Sequence, residues 1–461
     1  MKKIKIKKTS SILLLLMMSL SLMSFRGITN ETKAINDNAL SNLKQYVGEY
    51  VYEPEDLTIR IYTKKNDTKL YLSVPAQSPY ELVATGAHKF SFKVSEDYKV
   101  EFRNPENGVF NELILIQPDG TLRANRKKKG EIDDLTTLDK KLIEKDFSGV
   151  VLVAQNDSII FNKAYGRKNN QESGLNNINT IFDICSITKQ FTAAGILKLS
   201  MQNKISVTDK LSKYFDAVPN DKENITIHQL LTHSSGLTVG IGGDYDTVTE
   251  EAFLDQVFGS KLISPVGEKF NYSNIGYSLL AIIIEKASGM DYETFLNLEV
   301  FKPSKMHHTG YVIPKWENNE VANGFLDGTQ AKKPNEENWS EQGPYLNLKG
   351  NGGILTSAGD LLLWSHAIQN HTVLDEATTS KYLYPHFQSD GFIYHNYGYG
   401  WGIENNDSED KLVQHGGTSD LFATDLWIYP KKGITIIVLS NKFDEYVYSI
   451  ARKFSNLLLA K

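Results

Sequence analysis

The sequence is poor in cysteine: Cys185 is the only one in 461 residues. One thiol cannot form an intramolecular disulfide, so the fold must depend on its packed core. Positive charge is not in excess either, because 50 Lys and Arg residues face 55 Asp and Glu residues and the formal net charge is −5. The composition therefore gives no general attraction for nucleic acid, and no nucleic-acid partner is expected.

Sequence motifs for bound metals and nucleotides are also missing. The sequence has no His-Glu-x-x-His zinc motif, and no glycine-rich phosphate loop follows a predicted strand. Neither internal repeats nor low-complexity tracts occur. We therefore expect a globular protein that works without a metal ion or an organic cofactor.

The N-terminus has the pattern of a secretion signal. Five lysines precede the apolar run Ile12–Met23, which is short for a membrane span of about 20 residues. We predict that residues 1–27 are a signal sequence and that the protein is exported, to the periplasm or the extracellular space. Because no clear cleavage site follows, an uncleaved N-terminal anchor stays open as the one route to a membrane. Cleavage would remove six positive charges and no acid, and would take the net charge from −5 to −11.

Residues 40–126 have the alternating pattern of short β-strands, separated by turn signals such as Pro118-Asp119-Gly120. This pattern predicts a small all-β barrel or sandwich. The predicted strands are Tyr46–Glu53, Leu57–Lys64, Lys69–Pro75, Tyr80–Thr85, Lys89–Ser95, Tyr98–Asn104, Glu112–Gln117 and Thr121–Arg126. The basic run Arg126–Gly130 then interrupts the pattern, and we place a linker at residues 127–134.

Residues 135–461 show strand and helix periods in a different order. An amphipathic helix, Leu135–Lys145, precedes two predicted strands, and helical signals dominate the middle of the chain. The strand period then returns, and a last amphipathic helix, Asp444–Leu459, closes the unit. The predicted strands are Gly149–Ala154, Ser158–Tyr165, Tyr399–Glu404, Leu412–His415, Ala423–Tyr429 and Ile434–Ser440. Short turns between the late strands favour antiparallel pairing, so we expect an α+β fold.

Ser186 and Lys189 lie at the start of a predicted helix. Residues three apart share one face of a helix, so the two side chains can meet. A serine hydroxyl needs a base before it attacks, and a lysine whose pKa is lowered by burial can be that base. The spacing alone is weak evidence, because Ser41–Lys44 and Ser408–Lys411 share it. Cys185 is a rival nucleophile, but adjacent helical residues point about 100° apart, and we interpret it as a small apolar filler.

Two later segments supply the other groups that such a serine needs. Tyr272-Ser273-Asn274 lies between a loop and a predicted helix, where the tyrosine can pass a proton and Asn274 can bind a substrate amide. His415-Gly416-Gly417-Thr418 precedes two late strands, and glycines at a strand edge let a backbone N–H approach a ligand closely. An edge of this kind can complete an oxyanion hole.

These three segments occur in the order of the three motifs of the class C β-lactamase and penicillin-binding-protein-like serine hydrolases, which the chain resembles over residues 135–461. Three flanking segments are similar as well, and we interpret them as structural: Leu230–Leu237, Pro265–Phe270 and Gly352–Leu361. The resemblance implies an antiparallel sheet flanked by helices, a mostly helical second lobe, and an active site between them. Residues 40–126 resemble the lipocalin-like β-domain that often accompanies such hydrolases.

The resemblance also implies roles for the site residues. Ser186 would be the acylated nucleophile, Lys189 its base or proton relay, and Tyr272 the group that passes a proton to the leaving group and later helps to activate water. The N–H groups of Ser186 and Thr418 would form the oxyanion hole. The substrate-binding residues would be Asn274, His415, Gly417 and Thr418. The reaction would be an acyl transfer in two steps through an acyl-enzyme.

One position departs from the family pattern. The β-lactamase and penicillin-binding-protein motif usually has Lys-Thr-Gly where this chain has His415-Gly416-Gly417, and that lysine helps to hold a substrate carboxylate. A histidine with an ordinary pKa of about 6.5 would hold it less well, and activity on such a substrate would fall as pH rises through the histidine titration. The same replacement is common among the esterases, amidases and peptidases of the family.

We therefore expect an exported hydrolase whose partner is a small-molecule or peptide substrate, an ester or amide, with cell-wall-derived D-amino-acid peptides among the candidates. Two other functions stay open. One is a true β-lactamase or D,D-carboxypeptidase. The other is a penicillin-binding sensor or wall-binding protein whose acyl-enzyme does not turn over. The β-domain stays open between substrate gating, wall binding and a stabilising appendage.

Overall fold

The structure is a computed structural model, and it describes residues 43–459 except for 55–56, 64–68, 75–78, 128–133, 157, 172–173, 318–319, 338–342, 390–393, 395, 405–409 and 444–445. The predicted signal sequence, residues 1–27, lies outside the described residues. The chain divides into two compact units, of which the first holds the strands up to residue 126 and the second holds the helices and strands from residue 135 onward.

The first unit is a closed antiparallel barrel of eight strands. Each strand pairs with the next along the chain, and the last pairs with the first through Tyr50 and Arg126. The strands are β1 (Gly48–Tyr52), β2 (Leu57–Tyr62), β3 (Leu70–Ser73), β4 (Tyr80–Gly86), β5 (Lys89–Phe92), β6 (Ser95–Glu106), β7 (Val109–Gln117) and β8 (Gly120–Arg126). The prediction of a small all-β barrel is confirmed.

Aromatic side chains pack together inside the barrel. Alternate residues of a strand point to opposite faces, so the alternating runs collect their apolar residues on one side. Tyr46 stacks on Phe110 with ring centroids 5.2 Å apart. Arg126 donates to the hydroxyl of Tyr50 at 2.7 Å and to the carbonyl of Val47 at 2.7 Å. A barrel of eight strands is just wide enough to be filled by side chains or to hold one small ligand, and here buried rings occupy the core.

The described residues of the second unit form thirteen strands, most of them in one large antiparallel sheet. They are β9 (Gly149–Gln155), β10 (Ser158–Tyr165), β11 (Phe182–Asp183), β12 (Thr309–Gly310), β13 (Phe325–Leu326), β14 (Thr329–Gln330), β15 (Leu355–Thr356), β16 (Phe387–Gln388), β17 (Asn396–Tyr397), β18 (Gly402–Glu404), β19 (Leu412–Thr418), β20 (Ala423–Tyr429) and β21 (Ile434–Ser440). The large sheet has the order β10-β9-β21-β20-β19-β18-β17-β16. A small sheet is formed by β11, β15 and β12, of which β11 ends shortly before Ser186.

The helices of the second unit lie between and after these strands. They are α1 (Leu135–Glu144), α2 (Thr188–Met201), α3 (Ile227–Leu231), α4 (Glu250–Gly259), α5 (Asn274–Ser288), α6 (Tyr292–Leu296), α7 (Ala358–Gln369), α8 (Glu376–Tyr382) and α9 (Tyr446–Leu459). Helix α3 begins at Ile227, because Thr226 forms a capping box with Gln229 and so fixes its start. No helix in the described part of the chain is long and apolar enough to cross a membrane.

Helices cover both faces of the large sheet. On β21, Ile436 and Val438 join a core that includes residues of α1 and α9, whereas Ile437 and Leu439 join the larger core around α2 and α5. Since both faces are buried, β21 is apolar along its length rather than alternating. Helix α2 lies within the larger core, and most of its side chains are buried. The predicted α+β class is therefore confirmed, and Ser186 lies at the start of its central helix.

Candidate active site

Ser186 lies at the junction between a short strand and this buried helix. Strand β11 ends at Asp183, a 3₁₀ turn spans Cys185–Ile187, and α2 follows directly. Cys185 has a left-handed φ of 47°, and its N–H donates to Asp183 Oδ1 at 2.7 Å. Ser186 therefore sits in the first turn of helical structure, where backbone N–H groups have no intrahelical partner and are free to bind an anion.

Lys189 follows one turn later and is fully buried, with 0 % of its surface exposed. Its Nζ lies 3.1 Å from Ser186 Oγ, 2.8 Å from Asn274 Oδ1 and 2.8 Å from the backbone oxygen of Asn351. The ring of Tyr272 has its centroid 4.8 Å from the same nitrogen. The fold thus brings the first two predicted motifs together around one amine.

The contacts of Lys189 fix the direction of its lone pair when the amine is neutral. A neutral amine has two N–H donors and one lone pair. The side-chain oxygen of Asn274 and the backbone oxygen of Asn351 can only accept, so they take the two donors. The lone pair is left for Ser186 Oγ, whose proton it can accept. Burial lowers the pKa of Lys189 from 10.5 to about 7, against an opposing effect of the Asp244 carboxylate, so much of the amine is neutral at neutral pH.

Tyr272 hydrogen-bonds with the side chain of Ser186. Burial raises the pKa of Tyr272 well above its usual value of 10, so the phenol keeps its proton at neutral pH. A protonated phenol next to the nucleophile can donate to a leaving group, and Lys189 Nζ lies 4.8 Å from the centroid of its ring.

Asn274 is the first residue of α5, and its neighbour Ser273 caps that helix. Ser273 Oγ accepts from the N–H of Gly276 at 3.1 Å and donates to the carbonyl of Thr238 at 2.7 Å. Because Asn274 Oδ1 accepts from Lys189, the NH₂ group is the part of this side chain that remains to donate to a substrate carbonyl. Asn274 therefore joins the base to the position where a substrate would lie.

The third motif lies against the turn that carries Ser186. A Cβ atom on Gly417 would come within 2.4 Å of the backbone oxygen of Ile184 and 3.0 Å of Cys185 Cβ, so this close approach requires glycine. Thr424, on the neighbouring strand β20, donates from Oγ1 to the same oxygen of Ile184 at 3.1 Å. The end of β19 is thus packed directly on the serine turn.

Tyr448 holds this strand edge from the other side. It lies on α9, and its hydroxyl donates to the carbonyl of Gly417 at 3.3 Å and also contacts Thr418 Oγ1. Tyr394 supports the preceding residue, because its hydroxyl accepts from the N–H of Gly416 at 3.0 Å. An edge fixed in this way can present the N–H of Thr418 as the second donor of an oxyanion hole, with the N–H of Ser186 as the first.

His415 does not carry the charge that the sequence suggested. It is 1 % exposed, its Nδ1 lies 2.6 Å from the backbone oxygen of Gly416, and its Nε2 lies 2.9 Å from the hydroxyl of Tyr397. A carbonyl only accepts, so Nδ1 carries the proton and Nε2 accepts from the tyrosine. Burial, together with the nearby Lys189, lowers the pKa of His415 from 6.5 to about 3. The expectation that His415 titrates near its ordinary pKa is therefore wrong, and the ring is neutral at physiological pH.

Cys185 is buried and has the character of a packed apolar residue. Burial and the neighbouring Asp183 carboxyl raise the pKa of its thiol well above the ordinary value of 9.0. Because the thiolate is the reactive form of cysteine, a thiol held protonated is a poor nucleophile. The geometry favours Ser186 over Cys185, since the hydroxyl of Ser186 is the group beside Lys189.

Asn351 is a site residue that the sequence did not indicate. Its amide donates to Ser278 Oγ at 3.0 Å and to the carbonyl of Asn347 at 2.9 Å. These bonds hold the Asn351 peptide so that its oxygen meets Lys189. Asn351 comes directly before the similar flank Gly352–Leu361, which is the signal that could have found it.

Outside the three motifs, the charged group with the largest effect on the pKa of Lys189 is the carboxyl of Asp244. The Asp244 carboxyl raises the pKa of Lys189. Burial, with smaller effects of Asp420 and Asp246, raises the pKa of Asp244 itself. In the described ranges no three His, Cys, Asp or Glu side chains come together as a metal site. The site therefore surrounds its serine with a neutral imidazole and with an amine whose pKa of about 7 leaves about half of it neutral at pH 7.

A serine beside a buried lysine, with a tyrosine and a glycine strand edge around it, is the constellation of an active-site serine hydrolase. The sequence profile of the Beta-lactamase family matches residues 135–461, and the chain belongs to that family. The family predicted from the motifs is therefore confirmed.

Two curated relatives match more than half of this chain in sequence, and one of them has a penicillin-binding name. Penicillin-binding protein 4* of Bacillus subtilis (strain 168) is 28% identical over 358 residues, which is 74% of this chain and 78% of the relative. Protein flp of Staphylococcus aureus (strain MW2) is 29% identical over 323 residues, which is 64% of this chain and 60% of flp. The chain thus spans most of the first relative but less than two thirds of the second.

Solved structures share the fold of the second unit. A penicillin binding protein from Bacillus halodurans superposes with a TM-score of 0.60 at 27% identity, over 69% of this chain and 99% of that one. A class C β-lactamase from Rhodobacter sphaeroides superposes with a TM-score of 0.60 at 16% identity, over 70% of this chain and 97% of that one. The second likeness is evidence for the fold alone.

Proposed function

We propose that this protein is an exported serine hydrolase that cleaves an ester or amide through an acyl-enzyme on Ser186. The observation that carries the proposal is the hydrogen-bonding of Lys189. Its two carbonyl partners occupy both N–H donors of the neutral amine, and the lone pair is left for the serine 3.1 Å away. This is the arrangement that a general base requires before its nucleophile attacks.

The acylation step follows from this arrangement. Lys189 takes the proton of Ser186 as Oγ forms a bond to the substrate carbonyl carbon. The carbonyl oxygen becomes an oxyanion and accepts from the N–H groups of Ser186 and Thr418. The bond to the leaving group then breaks, and Tyr272 donates its proton to that group while it recovers one from Lys189. The amine is neutral again, and the substrate acyl group is an ester of Ser186.

Deacylation uses the same groups in the reverse order. A water molecule attacks the ester carbonyl and loses its proton to the Tyr272 and Lys189 pair. The bond between the carbonyl carbon and Ser186 Oγ breaks, and Oγ takes that proton back. The products are a carboxylic acid and the alcohol or amine released earlier, so one water is consumed for each bond cleaved.

The charges around Ser186 support a substrate that needs no cation for its recognition. His415 is neutral, and the carboxylate of Asp244 acts on the lysine side of the site. A free substrate carboxylate would meet little positive charge there. Neutral esters and amides, including D-amino-acid peptides derived from the cell wall, are therefore favoured over β-lactams and over peptides whose terminal carboxylate must be held.

Fluorophosphonate labelling with intact-mass detection tests the proposal. We expect one adduct per chain on the wild type and none on Ser186→Ala, because the probe reacts with activated serines. Cys185→Ala is the matched control, since it changes the adjacent residue, and it should label like the wild type. A wild type without label would reject the hydrolase.

Substrate turnover separates the alternatives. The proposal predicts multiple turnovers on p-nitrophenyl esters and little on nitrocefin. Faster hydrolysis of nitrocefin would favour a true β-lactamase. An acyl-enzyme mass that forms with penicillin and persists, without turnover of any ester, would favour a penicillin-binding sensor.

Export is proposed from residues 1–27 alone, and N-terminal sequencing of protein recovered from the culture medium or periplasm tests it.

A further inference from the structure

His233 ends helix α3 in a backbone conformation that usually belongs to glycine. Its φ is 56°. Its N–H donates to the carbonyl of Leu230 at 3.3 Å, and the N–H of Ser234 donates to the carbonyl of Gln229 at 2.9 Å. This pair of bonds is the Schellman motif, whose left-handed position favours glycine because a Cβ is strained there.

The contacts of His233 bracket the catalytic tyrosine. The backbone oxygen of His233 accepts from the N–H of Asn271 at 2.7 Å, and its Nδ1 accepts from the N–H of Ser273 at 3.0 Å. These are the residues directly before and after Tyr272. The imidazole also lies on the Tyr272 ring, with centroids 4.2 Å apart and an interplanar angle of 32°. One residue thus holds both neighbouring peptides and one face of the ring.

The tautomer of His233 is fixed by these bonds. Because Nδ1 accepts from a backbone N–H, it carries no proton, and the proton of the neutral ring is on Nε2. The side chain is fully buried, and burial, with Lys189 and His415 nearby, lowers the pKa of His233 well below 6.5. The acceptor at Nδ1 is therefore present throughout the neutral pH range.

We propose that His233 is a positioning residue for Tyr272, and the proposal rests on the function above, in which Tyr272 transfers protons. His233 holds the Tyr272-Ser273-Asn274 segment at the distance from Ser186 and Lys189 that proton transfer requires. Displacement of a reacting group by about 1 Å can cost about 100-fold in rate. Loss of the contacts that His233 makes on both sides of Tyr272 should therefore slow turnover without removing the substrate-binding groups.

Three substitutions at this position separate a positioning role from a filling role. His233→Asn keeps an acceptor near the place of Nδ1, and asparagine tolerates the left-handed conformation. His233→Gln fills a similar volume but puts its amide one bond further out. His233→Gly relieves the backbone strain and removes the side chain.

His371 provides a matched control. It ends α7 with a φ of 54°, and the same two bonds are present, from its own N–H to Ile368 at 3.3 Å and from Thr372 to Ala367 at 2.9 Å. His371 is exposed, so His371→Gly makes the same backbone change without touching the site. Wild-type turnover is expected for this variant.

The experiment measures kcat and KM on a p-nitrophenyl ester, together with fluorophosphonate labelling and thermal unfolding. We expect kcat to fall about 10- to 100-fold for His233→Gly and His233→Gln, with KM within about twofold, and most of the loss to be recovered in His233→Asn. If the glycine variant does not fold, the Asn and Gln variants carry the same comparison. Equal kcat for the Asn and Gln variants would overturn the positioning role of His233 and leave the proposed function intact. A kcat for His233→Gly like that of the wild type would do the same. A wild type that is neither labelled nor active would overturn the proposed function and this role with it.

Discussion

The barrel and the hydrolase unit are both built on antiparallel sheets, but they bury different groups. Among the described residues of the barrel, no Asp, Glu, Lys, Arg or His side chain is buried. The hydrolase unit buries Lys189, His233 and His415. Burying an ionisable group is costly unless it becomes neutral or finds hydrogen bonds, and all three have pKa values lowered by burial. Buried groups with shifted pKa values are typical of functional sites, and they distinguish the hydrolase unit from the barrel.

Lys189→Met gives the largest expected effect in this comparison. It keeps the buried volume but removes the base, so kcat/KM on a p-nitrophenyl ester should fall by about 10³- to 10⁴-fold, near the loss seen when a general base is removed. Lys198→Met is the control, because Lys198 lies on the same helix and its amine bonds to the carbonyl of Val373. A Lys189→Met enzyme as active as the Lys198→Met enzyme would contradict the role of the buried amine.

Gly417→Ala should have the next largest effect. Its new Cβ would come within 2.4 Å of the oxygen of Ile184, so the strand edge must move away from Ser186 and carry the N–H of Thr418 with it. We expect kcat to fall by about 10²-fold, the size of a lost oxyanion donor. Gly86→Ala in the barrel is the counterpart, because the nearest atom to its Cβ is 3.9 Å away, and its steady-state kinetics should match those of the wild type. Similar kinetics for both alanine variants would show that the edge of β19 does not contribute to catalysis.

Tyr50→Phe should have the smallest effect and only on stability. The hydroxyl of Tyr50 donates to the carbonyl of Tyr46 at 3.0 Å and accepts from Arg126 at 2.7 Å. Its loss should lower the free energy of unfolding of the barrel by about 1–3 kcal/mol, measured by denaturant titration. Activity should not change, whereas Tyr272→Phe should lose activity with little change in stability. If Tyr50→Phe lost activity as Tyr272→Phe does, the two regions would not differ as described.

The sequence predicted the regular parts of both units well, because period and turn chemistry are local. Strands Ala423–Tyr429 and Ile434–Ser440 were predicted with the bounds that the structure has. The eight barrel runs each correspond to one observed strand, although β6 extends further, to Glu106. Apolar alternation and turn residues carry this information within a few positions of the chain.

The sequence could not predict the protonation states of the site residues, because these depend on burial, and burial depends on residues distant in the sequence. His415 was expected to titrate as an ordinary histidine, but Tyr397 and the surrounding core hold it neutral. Asn351 was not assigned at all, since its contribution is a backbone oxygen that only the fold brings to Lys189. The motif order indicated which segments meet, and the packing decided which atoms face each other.

The pH dependence of fluorophosphonate inactivation tests the central claim, a neutral Lys189 beside Ser186, most directly. The base acts only when deprotonated, and burial lowers its pKa from 10.5 to about 7. The inactivation rate constant should therefore rise about tenfold per pH unit at low pH, bend near pH 7 and stay level above it. A rate that keeps rising toward about pH 10, as an ordinary lysine requires, or an unchanged profile in Lys189→Met, would contradict the account.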